Sequence, residues 1–180
     1  MPCILNAGRT VPCKDSQGGL VAVYFINYIS KAFTLESGKA SELNAGISAA
    51  FKYDLRNDGN NFTENAVSDK NTGTYVNTQT LTLALTKIDS ETSLQVDLMA
   101  KGRPVIVVED RNGGFRVAGL AQGMDLTGSD INTGGVETDF NGYNLTFTSM
   151  EKELAPYLTD EAVTALIGKI PTDPEPEEEV

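Results

Sequence analysis

The sequence predicts a mainly β fold, a β-sandwich or barrel, with one flanking α-helix and short C-terminal helices. Residues 80–86 alternate threonine with leucine around a single alanine, and residues 143–148 alternate large apolar side chains with Asn and Thr. A period of two puts successive side chains on opposite faces, so each segment predicts a strand with one buried face. Residues 20–29 are almost continuously apolar and rich in β-branched and aromatic side chains, which predicts a strand buried on both faces.

The first third of the chain is predicted to alternate strands with loops. The strand over residues 20–29 follows a Gly-Gly turn. Residues 32–43 have a mixed Ser/Glu/Lys composition and favour a loop, and residues 47–55 predict a half-buried strand. Residues 57–73 hold five asparagines and two glycines, which predicts a long surface loop or an extended hairpin arm. Such an arm is a natural contact element in an assembly.

A short helix is predicted after the Thr/Leu strand. Asp89 or Ser90 can cap its first turn, since side-chain oxygens at this position accept bonds from unpaired backbone amides. Leu94 and Leu98 lie four residues apart and therefore share a helix face. Gly102 is a typical helix terminator.

The segment after the helix predicts a hairpin and then a connector. Residues 105–108 are aliphatic and residues 110–114 supply a turn, for which we expect type I′ geometry. The turn lacks the spaced acids and closing Glu of a calcium loop. Residues 119–135 contain five glycines but no Gly-Lys-Ser/Thr phosphate motif. They predict a linker or a subunit-contact loop.

The C-terminal part is predicted to add helices and a tail. Ser149 could cap a short helix that runs to Leu154, and Thr159 or Asp160 could cap another. Residues 171–180 hold three prolines and five acids, a composition that stays disordered until something orders it. The tail is either a solvated segment that aids solubility or one that docks onto a neighbouring copy or a partner protein. The predicted organisation is therefore a β domain, a helical extension and an acidic tail, over residues 1–148, 149–170 and 171–180.

Composition excludes several function classes. The chain has 14 basic and 25 acidic residues, for a net charge of −11, so most of its surface repels a phosphate backbone. It has no histidine, which removes Ser/His/Asp and Cys/His catalytic schemes. No pair of carboxylates is set apart from ordinary solvated charge. We therefore expect a protein that is not an enzyme, with no catalytic residues and no cofactor.

Cysteine usage and hydropathy bear on compartment. Cys3 and Cys13 are the only cysteines, and we expect two small buried thiols rather than a disulfide. Two thiols without histidine do not predict a metal site. No secretory leader is recognisable, and no stretch approaches the roughly 18 apolar residues of a membrane span. We expect a soluble chain made in the cytoplasm of its host, with no membrane binding of its own.

Residues 51–148 hold a characteristic order of elements. A threonine-rich strand, a short helix, an aliphatic strand, a turn with Asp110 and a glycine-rich loop precede a closing strand. That strand reads Asp139-Phe140-Asn141-Gly142-Tyr143-Asn144-Leu145-Thr146-Phe147. This order resembles that of bacteriophage tail-tube-type structural proteins.

The resemblance implies a virion function. In that family a β-sandwich or barrel flanked by a helix typically closes into a ring of six copies, and rings stack through long loops and arms. It implies a structural protein of the virion tail whose partners are itself and neighbouring tail or connector proteins, with DNA only as passing cargo. The C-terminal helices and acidic tail are additions to the minimal pattern, and a collar, ring or adaptor protein on the same fold accommodates them more naturally.

Two other function classes stay open from the sequence. One is a β-sandwich receptor-binding or carbohydrate-binding module, disfavoured by the absence of tryptophan but kept open by six tyrosines. The other is a carboxylate-based hydrolase. Candidate subunit contacts are Asn60, Phe62, Tyr75, Met124, Asp125, Glu175 and Glu179. A positive patch for the acidic tail could come from Lys87, Arg103, Arg111 and Arg116.

Overall fold

Two four-stranded antiparallel sheets packed face to face form the body of the molecule. The structure is a computed structural model that describes residues 5, 7–56 and 58–171. Its elements are β1 (Leu20–Ile26), β2 (Phe33–Glu36), β3 (Lys39–Leu43), β4 (Phe51–Asp54), β5 (Asn61–Asp69), β6 (Thr74–Thr86), α1 (Ser90–Lys101), β7 (Val105–Asp110), β8 (Phe115–Ala118), β9 (Asp125–Asn132), β10 (Gly142–Glu151) and α2 (Asp160–Ile167).

One sheet has the order β4-β1-β7-β8 and is called the β1 sheet below; the other has the order β5-β6-β10-β9 and is called the β6 sheet. Strands β2 and β3 form a separate hairpin. No closed barrel forms among the described strands. The predicted mainly β fold is therefore confirmed, as a sandwich.

The main core lies between the two sheets. The β6 sheet contributes Leu81, Leu83, Leu145 and Phe147, each fully buried, and the alternating threonines of the same strands point the other way. The β1 sheet contributes Val23, Phe25, Ile106 and Val108. Helix α1 adds Val96 to this core. The face with Leu94 and Leu98 is more than half exposed.

A second core covers the outer face of the β1 sheet. Tyr24, Val105, Val107 and Val117 point to this side, where the β2–β3 hairpin and α2 cover them with side chains such as Phe33, Ala40, Ala162 and Leu166. Strand β1 thus has apolar neighbours on both faces, as its continuous hydrophobic sequence predicts. The molecule consists of three layers, with the β1 sheet in the middle.

The segment 156–159 ties α2 into the fold by backbone hydrogen bonds. The amide of Val117 donates to the carbonyl of Pro156 (3.0 Å), and the amide of Ala40 donates to the carbonyl of Tyr157 (2.8 Å). Thr159 caps α2, as predicted, by accepting from the amide of Ala162. The domain boundary predicted at residue 148 falls inside β10.

Three local predictions are wrong. Residues 32–43 form the β2–β3 hairpin, whose turn residues Ser37 and Gly38 both have positive φ, instead of a loop. The predicted connector over residues 119–135 contains β9, an edge strand of the β6 sheet. Ser149 does not cap a helix, because β10 continues through it to Glu151.

A helix cap agrees with its prediction, whereas the type of one turn and the burial of one cysteine differ from theirs. Asp89 is the N-cap of α1, as predicted. The hairpin predicted over residues 110–114 is present, but only Gly113 there has a positive φ (81°), so the turn is not type I′. Cys13 is exposed, contrary to the expected burial, while Cys3 and the acidic residues 172–180 lie outside the described part of the chain.

Candidate assembly surface

The outer face of the β6 sheet is covered by no other described element of the chain. Side chains alternate along β6 and β10, and burial of the leucines and Phe147 on the inner side leaves the threonines outside. The threonines pair in register across the sheet: Thr82 opposes Thr146, and Thr80 lies between Thr148 and Thr63. The result is a polar, mostly threonine outer face on a sheet whose inner face is buried in the core.

This face carries acidic side chains and no basic ones. Register places Asp69, Asp125 and Asp130 on it, together with asparagines of β5, β9 and β10. Among the strand residues that register places on this side, none is Lys or Arg. A polyanion that approached this face would meet no complementary charge.

Both edges of the β6 sheet are long strands without a partner among the described residues. Strand β5 has nine residues and forms one edge, and β9 has eight and forms the other. The outward N–H and C=O groups of such strands can pair with the edge of another chain. Single domains usually protect edges of this length, and helix α1 packs beside β9, but no described strand pairs with the outer edge of β5 or of β9, so both are candidate contact sites.

The β5–β6 hairpin projects beyond the rest of the sheet. The last pair between β6 and β10 is Asn77 with Glu151, while β5 and β6 stay paired as far as Asp69 and Thr74. The exposed tip displays Val67 (59% exposed), Tyr75 (45%) and Val76 (38%). The structure thus gives the described residues 58–73 of the predicted segment 57–73 the form of the hairpin arm, the second of the two predicted alternatives.

Glu64 anchors this hairpin to the remainder of the fold. Its carboxylate forms an ion pair with the Arg116 guanidinium on β8 (2.9 Å) and accepts from the amide of Ala155 (2.7 Å) and from Asn77 Nδ2 (2.9 Å). The Glu64 side chain is only 9% exposed. One buried carboxylate therefore joins the β6 sheet, the β1 sheet and the chain segment after β10. Sequence analysis missed it, because partners 52 and 91 residues away leave no local pattern.

The predicted contact residues occupy different environments. Asn60 and Met124 are buried within the chain, at 5% and 0% exposure, so neither lies on its exposed surface. Asn60 instead accepts from the amide of Ala84 (2.7 Å). Phe62 is half-buried beneath the Arg116 guanidinium. Tyr75, at the hairpin tip, and Asp125, on edge strand β9, are exposed. The remaining candidates, Glu175 and Glu179, lie outside the described residues.

The four basic residues considered for a positive patch do not all lie together. Arg116 is engaged by Glu64, and Arg111 lies 3.8 Å from Asp58. Arg103 precedes β7 and Arg111 follows it, so the six-residue strand separates them by roughly 20 Å. Lys87 lies between β6 and α1 with a positive φ of 70°. A patch that includes both Arg103 and Arg111 is not supported.

Metal ligation and membrane-spanning helices find no support in the described residues. Within the described ranges, no three His, Cys, Asp or Glu side chains come close enough together to hold a metal ion. None of the helices described is both long and apolar enough to cross a membrane. In comparisons with family models, curated proteins and solved structures, the chain matches none.

Proposed function

We propose that this chain is a non-enzymatic structural subunit that self-assembles into rings or a tube of a bacteriophage-type tail, through which a genome passes. One observation carries the proposal: no described element covers the outer face of the β6 sheet, and its two edge strands have no described strand on their outer sides. A sheet of this kind is completed by neighbours, because pairing β5 of one copy with β9 of the next removes both exposed edges.

The expected contact is heterologous. Strands β5 and β9 are different surfaces, and repeated contacts between different surfaces generate a ring when the rotation closes or a filament when it does not. Six copies would follow the resemblance to tail-tube-type proteins. In such a ring the uncovered faces of the β6 sheets would form a continuous wall.

The chemistry of the uncovered face suits an inner wall. A duct for DNA must not retain it, and this face offers mainly threonines, asparagines and aspartates, with Met150, Val67 and Val76 towards the hairpin tip and no cation among its strand positions. Six copies at −11 each would carry about −66 before counterions bind. Like charge therefore keeps nucleic acid mobile inside the ring. The same charge opposes assembly at low salt, where screening is weak.

A collar, ring or adaptor protein on the same architecture is the second candidate. It is favoured by the third layer of the fold, in which α2 and the β2–β3 hairpin share a core with the outer face of the β1 sheet. This layer thickens the subunit on the side away from the proposed wall. Assembly through β5 and β9 is common to both candidates.

Cross-linking tests the proposed pairing. In a Cys3→Ser/Cys13→Ser background, Asn65→Cys on β5 and Asp130→Cys on β9 place one thiol at each edge, and both positions are exposed. With a short bis-maleimide, the chain that carries both thiols is expected to give a ladder that ends at the ring size. Each single variant should give almost no cross-linked dimer.

Glu36→Cys on the β2–β3 hairpin is the matched control, since it is equally exposed but lies in the layer on the opposite side of the β1 sheet. Cross-linking of this control as efficient as that of the edge pair would show random collision. Efficient dimers from either single edge variant would show a two-fold contact and contradict the proposal. A receptor-binding or carbohydrate-binding monomer would give no ladder.

A further inference from the structure

A groove lies between helix α1 and edge strand β4. Its volume is about 480 Å³, within the usual range for ligand sites. The walls include Tyr28, Phe51, Tyr53, Leu98 and Met99. Phe51 and Leu98 are 43% and 53% exposed, so large apolar surfaces on both sides of the groove stay accessible to solvent. This is unfavourable unless something packs against them.

Arg103 is the charged side chain in the wall of the groove. Arg103 lies at one end of the groove, and its guanidinium is 4.1 Å from the centre of the Tyr28 ring. The Tyr28 hydroxyl in turn donates a hydrogen bond to the carbonyl of Ala121 (2.8 Å), which fixes the position of the ring. At the other end of the groove, burial of the Tyr53 side chain raises its pKa, and the nearby carboxylates of Glu91 and Asp89 raise it further. An acidic ligand would therefore bind at the Arg103 end.

The described chain ends beside this groove. The amide of Ala50 donates to the carbonyl of Lys169 (3.0 Å), and Ala50 immediately precedes Phe51 in the groove wall. A smaller cavity of about 170 Å³, lined by residues 46–49, shares Ile26, Asn27 and Tyr28 with the groove. Residue 171 is thus two positions from Lys169, which is bonded to the residue that precedes Phe51 of the groove wall. The smaller cavity thus adjoins the groove on this side.

Residues 172–180 have the composition that such a groove binds. They contain two prolines, five acidic residues and no basic residue. Proline-rich segments favour the extended polyproline II conformation, which grooves lined by aromatic side chains recognise. At about 3.1 Å per residue, nine residues in that conformation span roughly 28 Å, enough to follow a groove along one helix.

We infer that residues 172–180 dock in the groove between α1 and β4 of their own subunit. Asp173 and Glu175, which come first along the tail, pair with Arg103, and Pro174 and Pro176 pack against the aromatic wall. The inference depends on the position where the described chain ends and on charge complementarity with Arg103. It goes beyond the proposed assembly through β5 and β9 and does not depend on it.

Hydrogen exchange measured by mass spectrometry tests the docking in the full chain. The comparison is with a chain that ends at Pro171. Removal of the tail is expected to speed exchange several-fold in peptides that cover residues 49–53 and 95–104, because these amides lose a packed cover. The substitution Arg103→Gln in the full chain should give the same change. A synthetic peptide of residues 171–180 added to the shortened chain should reverse it.

Arg111→Gln is the matched control, because it removes an equal charge at the opposite end of β7. It should leave exchange in the groove unchanged. Unaltered exchange after removal of the tail would overturn the inference, and an effect of tail removal without an effect of Arg103→Gln would overturn the role of Arg103. Protection that disappears on dilution would assign the groove to the tail of a second copy and overturn docking within the subunit.

Discussion

At the scale of single residues, Glu64 is the side chain on which most of the long-range structure depends. Its carboxylate receives bonds from Arg116, Asn77 and the amide of Ala155, which belong to three separate parts of the chain. A carboxylate held in this way is nearly inaccessible to water, so replacement of its charge leaves Arg116 without a counterion in a partly buried position. This differs from the exposed pair Asp97–Lys101 on α1.

The substitution Glu64→Gln is expected to lower the free energy of unfolding by about 3 kcal/mol. This value is at the lower end of the range for breaking a buried ion pair, because the Arg116 side chain keeps some contact with solvent. Urea denaturation followed by circular dichroism measures the loss. Asp97→Asn is the control, and it should change stability by less than about 0.5 kcal/mol because both partners are exposed. Equal effects of the two substitutions would refute the anchoring role of Glu64.

Asp89 gives a prediction about pH. Hydrogen bonds from the amide of Thr92, and then from its hydroxyl, lower the pKa of Asp89 below its ordinary value of 3.8. A carboxylate whose pKa is lowered on folding stabilises the fold above the unfolded value, and this contribution is lost as pH falls through the folded value. The variant Asp89→Asn keeps a cap at every pH but lacks the charge.

Wild type is therefore expected to be more stable than Asp89→Asn at pH 6, and the difference should shrink as the pH falls below 3.8. Thermal unfolding of both proteins across this pH range measures the difference in stability. Other titrating groups are the same in both proteins, so their contributions cancel in this difference. A difference that stays constant down to pH 2 would show that the charge of Asp89 does not contribute.

At the scale of elements, the sequence predicted the strands whose burial is one-sided or complete. Leu81, Leu83 and Phe147 alternate with polar residues because one face of each strand meets the core, and that alternation is visible without a structure. Strand β9 was missed because its edge position leaves most of its residues exposed and polar. The β2–β3 hairpin was missed for a similar reason, since it buries few side chains beyond Phe33 and Ala40.

The candidate site was less predictable than the fold. Exposed contact residues carry no periodic pattern, and Met124 occupies the main core although its glycine-rich surroundings favoured a loop. Deletion of residues 57–73 as a test of stacking would remove strand β5 together with Glu64. The projecting tip of the β5–β6 hairpin is the part that can be removed separately.

Replacement of residues 67–76 by an Asn-Gly turn is therefore the sharper test of stacking. It would join Ala66 to Asn77, which oppose each other directly and suit a two-residue hairpin. The thermal midpoint should change little, because the removed residues are exposed. Electron microscopy should show rings that no longer stack into rods. Rods of normal length from the shortened chain would exclude the tip as a stacking contact.

At the scale of the whole molecule, the three layers give the chain two unlike sides. The β2–β3 hairpin and α2 cover the β1 sheet, whereas the outer face of the β6 sheet has no cover among the described elements. A charge of −11 on every copy means that association must overcome repulsion, so screening by salt should favour it. Assembly is thus expected to rise with protein concentration and with ionic strength.

The mass and shape of the purified protein test the central claim most directly. Light scattering combined with negative-stain microscopy, across a range of protein and salt concentrations, should reveal closed rings or rods that become more abundant as salt increases. End views should show the six-fold symmetry that the resemblance implies. A mass that stays at the 19.3 kDa of one chain under every condition would contradict self-assembly through the β6 sheet.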